Sequence, residues 1–107
     1  MDAEELLLRY AAGERDFTGA KLSRVKLVGV KLVGIKLWGA DLSGANLARA
    51  NLTRANLSGA KLNEANLRQA KLNYTKLFGA SLSGAYYDET TRFPQGFDPQ
   101  STNMRKV

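Results

Sequence analysis

A leucine returns at every fifth residue over most of this chain, and that spacing excludes ordinary secondary structure. The register starts with Phe17. It continues through Leu22, Leu27, Leu32, Leu37, Leu42, Leu47, Leu52, Leu57, Leu62, Leu67, Leu72, Leu77 and Leu82, and Tyr87 ends it. From Leu22 onward a small or branched residue sits two places earlier: Ala20, Val25, Val30, Ile35, then Ala40, Ala45, Ala50, Ala55, Ala60, Ala65 and Ala70, Thr75, Ala80 and Ala85. On an α-helix a five-residue stripe would wind around the axis and put leucine in water. On a strand, whose side chains alternate, every second leucine would face solvent. The pattern buries its apolar residues if the chain turns a corner every five residues. Leucine and the small residue then share one core, and four units close a square coil of about 20 residues.

The units AKLSR, ADLSG, ANLAR, ANLTR, ANLSG, AKLNE, ANLRQ and ASLSG resemble the A(D/N)LXX motif of the pentapeptide-repeat family. The resemblance covers roughly residues 15–89 and is to a short single-domain member of the cyanobacterial type. It implies an all-β solenoid, a right-handed quadrilateral β-helix. At this length the body makes about 3.5–4 coils of 20 residues, stacked at strand spacing into a stub under roughly 20 Å high. The departures are Val25, Val30 and Ile35 at the small position, Thr75, and lysine in place of Asp or Asn. The branched residues are expected to widen the first coils slightly or to be tolerated there. Gly19, Gly29, Gly34, Gly39, Gly44, Gly59, Gly79 and Gly84 fill corners that suit positive φ, whereas Arg24, Arg49, Arg54, Glu64, Gln69 and Tyr74 occupy the others, which use either a different turn or the same one under strain.

A solenoid needs capped ends. Residues 1–14 carry a short N-terminal capping α-helix over about residues 3–12. Asp2 serves as N-cap, Glu5 as capping-box partner and Gly13 as the stop. Residues 15–89 form the repeat body, and residues 90–107 a C-terminal capping segment and flexible tail, frayed over 100–107. Tyr86, Tyr87, Phe93 and Phe97, with Pro94 and Pro99, make that last segment aromatic and turn-rich, either a plug over the last leucine layer or a contact site.

Charge is unevenly placed. The net value is +6, but residues 15–85 hold twelve bases against three acids, and residues 1–14 hold four acids against one base. The basic surface consists of Lys21, Lys26, Lys31, Lys36, Lys61, Lys71 and Lys76. Side chains one coil apart stack, giving the columns Asp16–Lys36–Asn56–Lys76, Lys21–Asp41–Lys61–Ser81, Lys26–Asn46–Asn66–Tyr86 and Lys31–Asn51–Lys71. No lysine lies directly over another, which avoids like charges at strand spacing. The candidate interface is apolar: Val28, Val33, Trp38 and Phe78 at outward positions, with Tyr86, Phe93 and Phe97 near the end.

No catalytic constellation stands out. The chain lacks cysteine and histidine, and Asp16, Asp41 and Glu64 are isolated carboxylates on a solvent-facing lattice. No enzyme, cofactor or metal site is therefore expected, nor a small-molecule substrate. The absence of a long apolar run and of a basic leader makes membrane insertion and secretion unexpected, with the cytoplasm as the default. The leading reading is a non-catalytic scaffold or protein-interaction module that self-associates or binds a protein partner. Its alternative is a nucleic-acid-binding protein using the basic surface. Family resemblance also suggests DNA mimicry toward gyrase, a type II topoisomerase, but that activity relies on an acidic surface and this body is basic.

Overall fold

The computed structural model describes residues 1–107, with principal extents of 36 × 23 × 22 Å. Its repeated element is a parallel bridge between residues twenty apart, from Asp16↔Lys36 through Asn66↔Tyr86. Each turn of the chain therefore lies against the next in register. Each coil has four faces. The first contains residues 16–20, 36–40, 56–60 and 76–80, and the second, third and fourth follow in steps of five.

Backbone groups at every face bond to the neighbouring coil. On the first face, Leu37 N donates to Asn56 O at 2.9 Å, Gly39 N to Ser58 O at 2.9 Å, and Asn56 N to Ile35 O at 2.9 Å. This satisfies polar main chain that would otherwise be stranded beside an apolar core. Within each corner the small residue donates back to its preceding leucine, as Ala50 N does to Leu47 O at 3.0 Å. Val25 and Val30 close less tightly, with Val25 N to Leu22 O at 3.2 Å and Val30 N to Leu27 O at 3.4 Å, whereas Ile35 N to Leu32 O is 3.1 Å, the same as Ala70 N to Leu67 O.

The core is a leucine column ringed by alanine. Leu27, Leu32, Leu42, Leu52, Leu57, Leu62, Leu67 and Leu72 are fully buried, with Ala40 through Ala70 between them. Each buried leucine supplies roughly 1.5–3 kcal/mol of transfer free energy, opposed by the entropy of ordering the chain. Leu77 is the exception, only half-buried on the last coil.

Every corner adopts the left-handed conformation. The corner glycines lie at φ 66–75°, and Arg24, Arg49, Arg54, Glu64, Gln69 and Tyr74 lie at φ 59–62°. The non-glycine corners thus use the same turn with the steric cost of Cβ.

Helix α1, Ala3–Ala11, covers the upper end. Leu6 is fully buried in the core, and Tyr10 donates its hydroxyl to Val33 O at 2.7 Å. Asp2 caps it by accepting from Glu5 N at 2.9 Å. The reciprocal half of the capping box is absent, because the Glu5 carboxylate turns toward Arg9, 3.4 Å away. Gly13 follows at φ 101°. The helix is far too short to cross a membrane, and no other helix is long and apolar enough.

At the lower end the five-residue register slips by one: Lys71 bridges Arg92, twenty-one residues on. A turn at Asp88 absorbs the extra residue. The frayed tail expected over 100–107 is instead tied down. After a 3-10 turn at Pro99–Ser101, Arg105–Lys106 (β2) pair in parallel with Tyr86–Tyr87 (β1). Gly84 N donates to Asn103 O at 2.9 Å and Val107 N to Tyr87 O at 2.9 Å. The last coil has free main-chain groups on this side, and they hold the tail.

Candidate interaction surface

The residue before each leucine lies on the flat of a face, and the next two after leucine make the corner. Asp or Asn at the first of these places has a structural task. Its Oδ1 accepts from the backbone two residues on: Asp41 from Ser43 N at 3.0 Å, Asn51 from Thr53 N at 3.1 Å, Asn56 from Ser58 N at 3.0 Å. Asp16 also accepts from the Thr18 hydroxyl at 2.7 Å. These bonds hold the Asp16 and Asp41 carboxyls below the usual carboxylate range. The Thr18 hydroxyl is the largest cause for Asp16 and the Ser43 N–H for Asp41, with Lys36 and Lys61 adding a smaller favourable field. Lysine at the same place cannot accept, so it gives up the corner bond and presents charge instead.

Lys21, Lys26, Lys31, Lys36, Lys61, Lys71 and Lys76 are all exposed. The bridges stack them in the four columns read from the sequence, with Asp or Asn between successive lysines. The fourth column has one more member. The slipped register places Arg92 directly on Lys71 and creates a like-charge pair that strict five-residue spacing does not reveal. A signal for the slip exists: Asp88 and Thr90 repeat the Asp16–Thr18 spacing, with Thr90 Oγ1 donating to Asp88 Oδ1 at 2.7 Å.

The outward apolar residues divide into two groups. On the first face, Trp38 is 57% exposed and Phe78 89% exposed, separated by the coil that carries Ser58. Lys36 and Lys76 precede them by two residues, so the face repeats Lys-Leu-aromatic-Gly on alternate coils. The glycine column Gly19–Gly39–Gly59–Gly79 lies beside them, and a Cβ at Gly59 would meet no more than the Gly39 backbone at 3.9 Å. That leaves a flat wall next to two projecting rings. Val28 is also exposed, at 42%, on the third face.

The second group is engaged within the chain. Val33 is half-buried, where Tyr10 meets its carbonyl. Tyr86 lies in β1, half-buried, with the Arg105 guanidinium 5.7 Å from its ring centre. Phe93 and Phe97 stack at 5.0 Å, Phe93 meets Tyr87 edge-on at 5.5 Å, and both phenylalanines pack against the core. Tyr86, Phe93 and Phe97 are thus half-buried, unlike the exposed Trp38. Four further apolar residues are exposed, Met1 and Val107 at the termini, Leu8 on α1 and Tyr74 at a corner, and the Tyr74 ring lies 5.2 Å from the Arg54 guanidinium.

Comparison with known proteins places this geometry. The pentapeptide-repeat family profile matches residues 31–69 and 50–86 in eight copies. No curated protein sequence matches the chain. Among solved structures, the pentapeptide-repeat protein alr5209 from Nostoc PCC 7120 is 34% identical over 99% of this chain and 96% of its own, with a TM-score of 0.51. Rfr23 from the cyanobacterium Cyanothece 51142 is 41% identical over 73% of this chain, with a TM-score of 0.72. HetL from Nostoc sp. strain PCC 7120, a protein involved in heterocyst differentiation regulation, is 25% identical over 88% of this chain, with a TM-score of 0.50. The chain spans 53% of Rfr23 and 57% of HetL. These relatives imply the right-handed quadrilateral β-helix that accounts for the twenty-residue bridges. On its repeat and these likenesses, the chain belongs to the pentapeptide-repeat family.

Proposed function

We propose that this protein is a non-catalytic interaction module that self-associates through its first face. The observation that carries the reading is Trp38 and Phe78 projecting from one face two coils apart, each with a lysine beside it. Burying two such rings against a partner would remove a large apolar area from water, and aromatic side chains dominate interface energetics. Residues 15–89 act as the rigid frame of about 3.5–4 coils, while residues 1–14 and 90–107 serve as its end caps. A filled leucine–alanine interior supports a non-catalytic role, since it leaves no internal cleft for a reacting group. HetL's involvement in regulation is in keeping with a protein-contact role.

Light scattering coupled to size exclusion, at about 50 and about 500 mM salt, tests this reading. A defined oligomer at both salts, reduced to monomer by Trp38→Ser, is the expected result. A monomer at both salts rejects self-association.

Nucleic-acid binding is the second reading, favoured by twelve bases against three acids over residues 15–85. It predicts binding to single- or double-stranded DNA that weakens steeply with salt. An apolar contact through Trp38 would survive the same change.

A further inference from the structure

We propose that the lower edge of the last coil, Thr75–Leu82, is a docking site for an extended peptide from another polypeptide. In the coil above, five main-chain groups of the equivalent stretch are all paired. Leu57 N donates to Lys76 O at 2.8 Å, Gly59 N to Phe78 O at 2.9 Å and Leu62 N to Ser81 O at 2.7 Å, while Ala55 O accepts from Lys76 N at 3.0 Å and Ala60 O from Ser81 N at 2.9 Å. The same five groups one coil lower are Leu77 N, Gly79 N, Leu82 N, Thr75 O and Ala80 O. None of them has a hydrogen-bond partner within the chain.

The C-terminal segment passes this edge without pairing to it. Pro94 and Pro99 have no N–H to give. Phe97 N is used within its own turn, to Pro94 O at 3.1 Å, and after Pro94 the first main-chain hydrogen bond back to the coil comes at Asn103 O, which takes Gly84 N. Between the edge and this segment lies an open cleft of about 360 Å³, lined by Leu77, Ala80, Leu82, Phe97 and Asn103. Leu77 and Ala80 are half-buried there, unlike their fully buried counterparts Leu57 and Ala60.

The ladder above defines what fits. The occupant runs parallel to Thr75–Leu82. It presents a carbonyl to Leu77 N, a second two residues later to Gly79 N, and a third to Leu82 N past a corner. Its own N–H groups meet Thr75 O and Ala80 O. Its inward side chains are one of leucine size over Leu77 and a small one over Ala80. Adding a strand to an exposed edge uses the same main-chain bonding as the sheet it extends, with specificity from alternate side chains. The site does not involve Trp38.

A synthetic peptide of Ala55–Leu62 carries all these features and is the probe. It is titrated into the isotope-labelled full chain while amide shifts and hydrogen exchange are followed. Saturable shifts and slowed exchange are expected at Leu77, Gly79 and Leu82. A control peptide carrying Asn56→Pro and Lys61→Pro cannot donate to Thr75 O and Ala80 O, and its shifts should be lost. The absence of saturable shifts, or equal shifts from the control peptide, overturns the proposal. So does concentration-dependent protection of the three amides without peptide that persists in Trp38→Ser, which assigns the edge to a second copy. Repeating the titration with Trp38→Ser separates this site from the first-face interface, since the peptide response should be unchanged.

Discussion

Thr75 Oγ1 donates to the carbonyl oxygen of Leu52 at 3.0 Å, from a place in the core ring that alanine fills in the coil above, at Ala55. Thr91 repeats the contact with Leu67 O at 2.9 Å, one residue out of the five-residue register. Both hydroxyls are buried, and both use the second lone pair of a leucine carbonyl already bonded within its own corner. Thr91 does more, because its Oγ1 also accepts from Asp88 N at 3.1 Å. Thr91→Val should therefore cost about 1–2 kcal/mol and Thr75→Val less than about 1 kcal/mol, since the latter leaves no donor stranded. Urea midpoints of the two variants check the order.

The leucine column is graded at its lower end. Leu47 is 1% exposed, with coils above and below, and Leu47→Ala should cost about 2–5 kcal/mol. Leu77 borders the open cleft and has solvent on one side. Leu77→Ala removes less buried area and leaves no closed cavity, so its cost should fall below about 2 kcal/mol. Equal losses in chemical denaturation would mean that the cleft closes in solution.

The corners carry removable strain. Arg49 sits at φ 59°, where a side chain costs about 1–2 kcal/mol relative to glycine, partly offset by the extra freedom glycine has when unfolded. Arg49→Gly should stabilise the protein by up to about 1 kcal/mol. Gly59→Ala tests the converse. Its new Cβ would meet the Gly39 backbone at an ordinary 3.9 Å, so a loss of about 1–2 kcal/mol would report conformation alone. Thermal midpoints that move in opposite directions are the expected result.

What the sequence makes legible follows from what repeats. Leucine at every fifth place from Leu22 to Leu82 leaves a single way to bury the set, so the coil, its lysine columns and the exposed Trp38 could be read from spacing. The end structures do not repeat and were harder to read. Asp88 inserts one residue, and this moves Thr91 into the core ring and Arg92 onto Lys71. The tail at Arg105–Lys106 is polar and carries no strand pattern, yet it is held by main-chain groups of Ala85 and Tyr87 that any sequence could bind. The corner turns at Arg49 and Tyr74 were ambiguous because their side chains argue against the conformation that the coil imposes.

Asp88 should make the lower end acid-sensitive. Its Oδ1 accepts from Thr90 Oγ1 at 2.7 Å, Thr90 N at 2.9 Å, Thr91 N at 3.1 Å and Gln69 N at 3.3 Å. The Thr90 hydroxyl is the largest cause of a carboxyl held below its ordinary value of 3.8, opposed by partial desolvation and helped by the Thr90, Gln69 and Thr91 contacts. A carboxyl more acidic in the folded chain than in the unfolded one stabilises the fold above its unfolded value, and that contribution is lost as pH falls through the lower folded value. Asp88→Asn keeps an acceptor oxygen but not the charge. It should be less stable than the parent at neutral pH, with the gap narrowing as pH drops below about 3.8. Denaturation midpoints measured across that range check the slope, and a gap that stays constant would show that the hydrogen bonds, and not the charge, carry Asp88's effect.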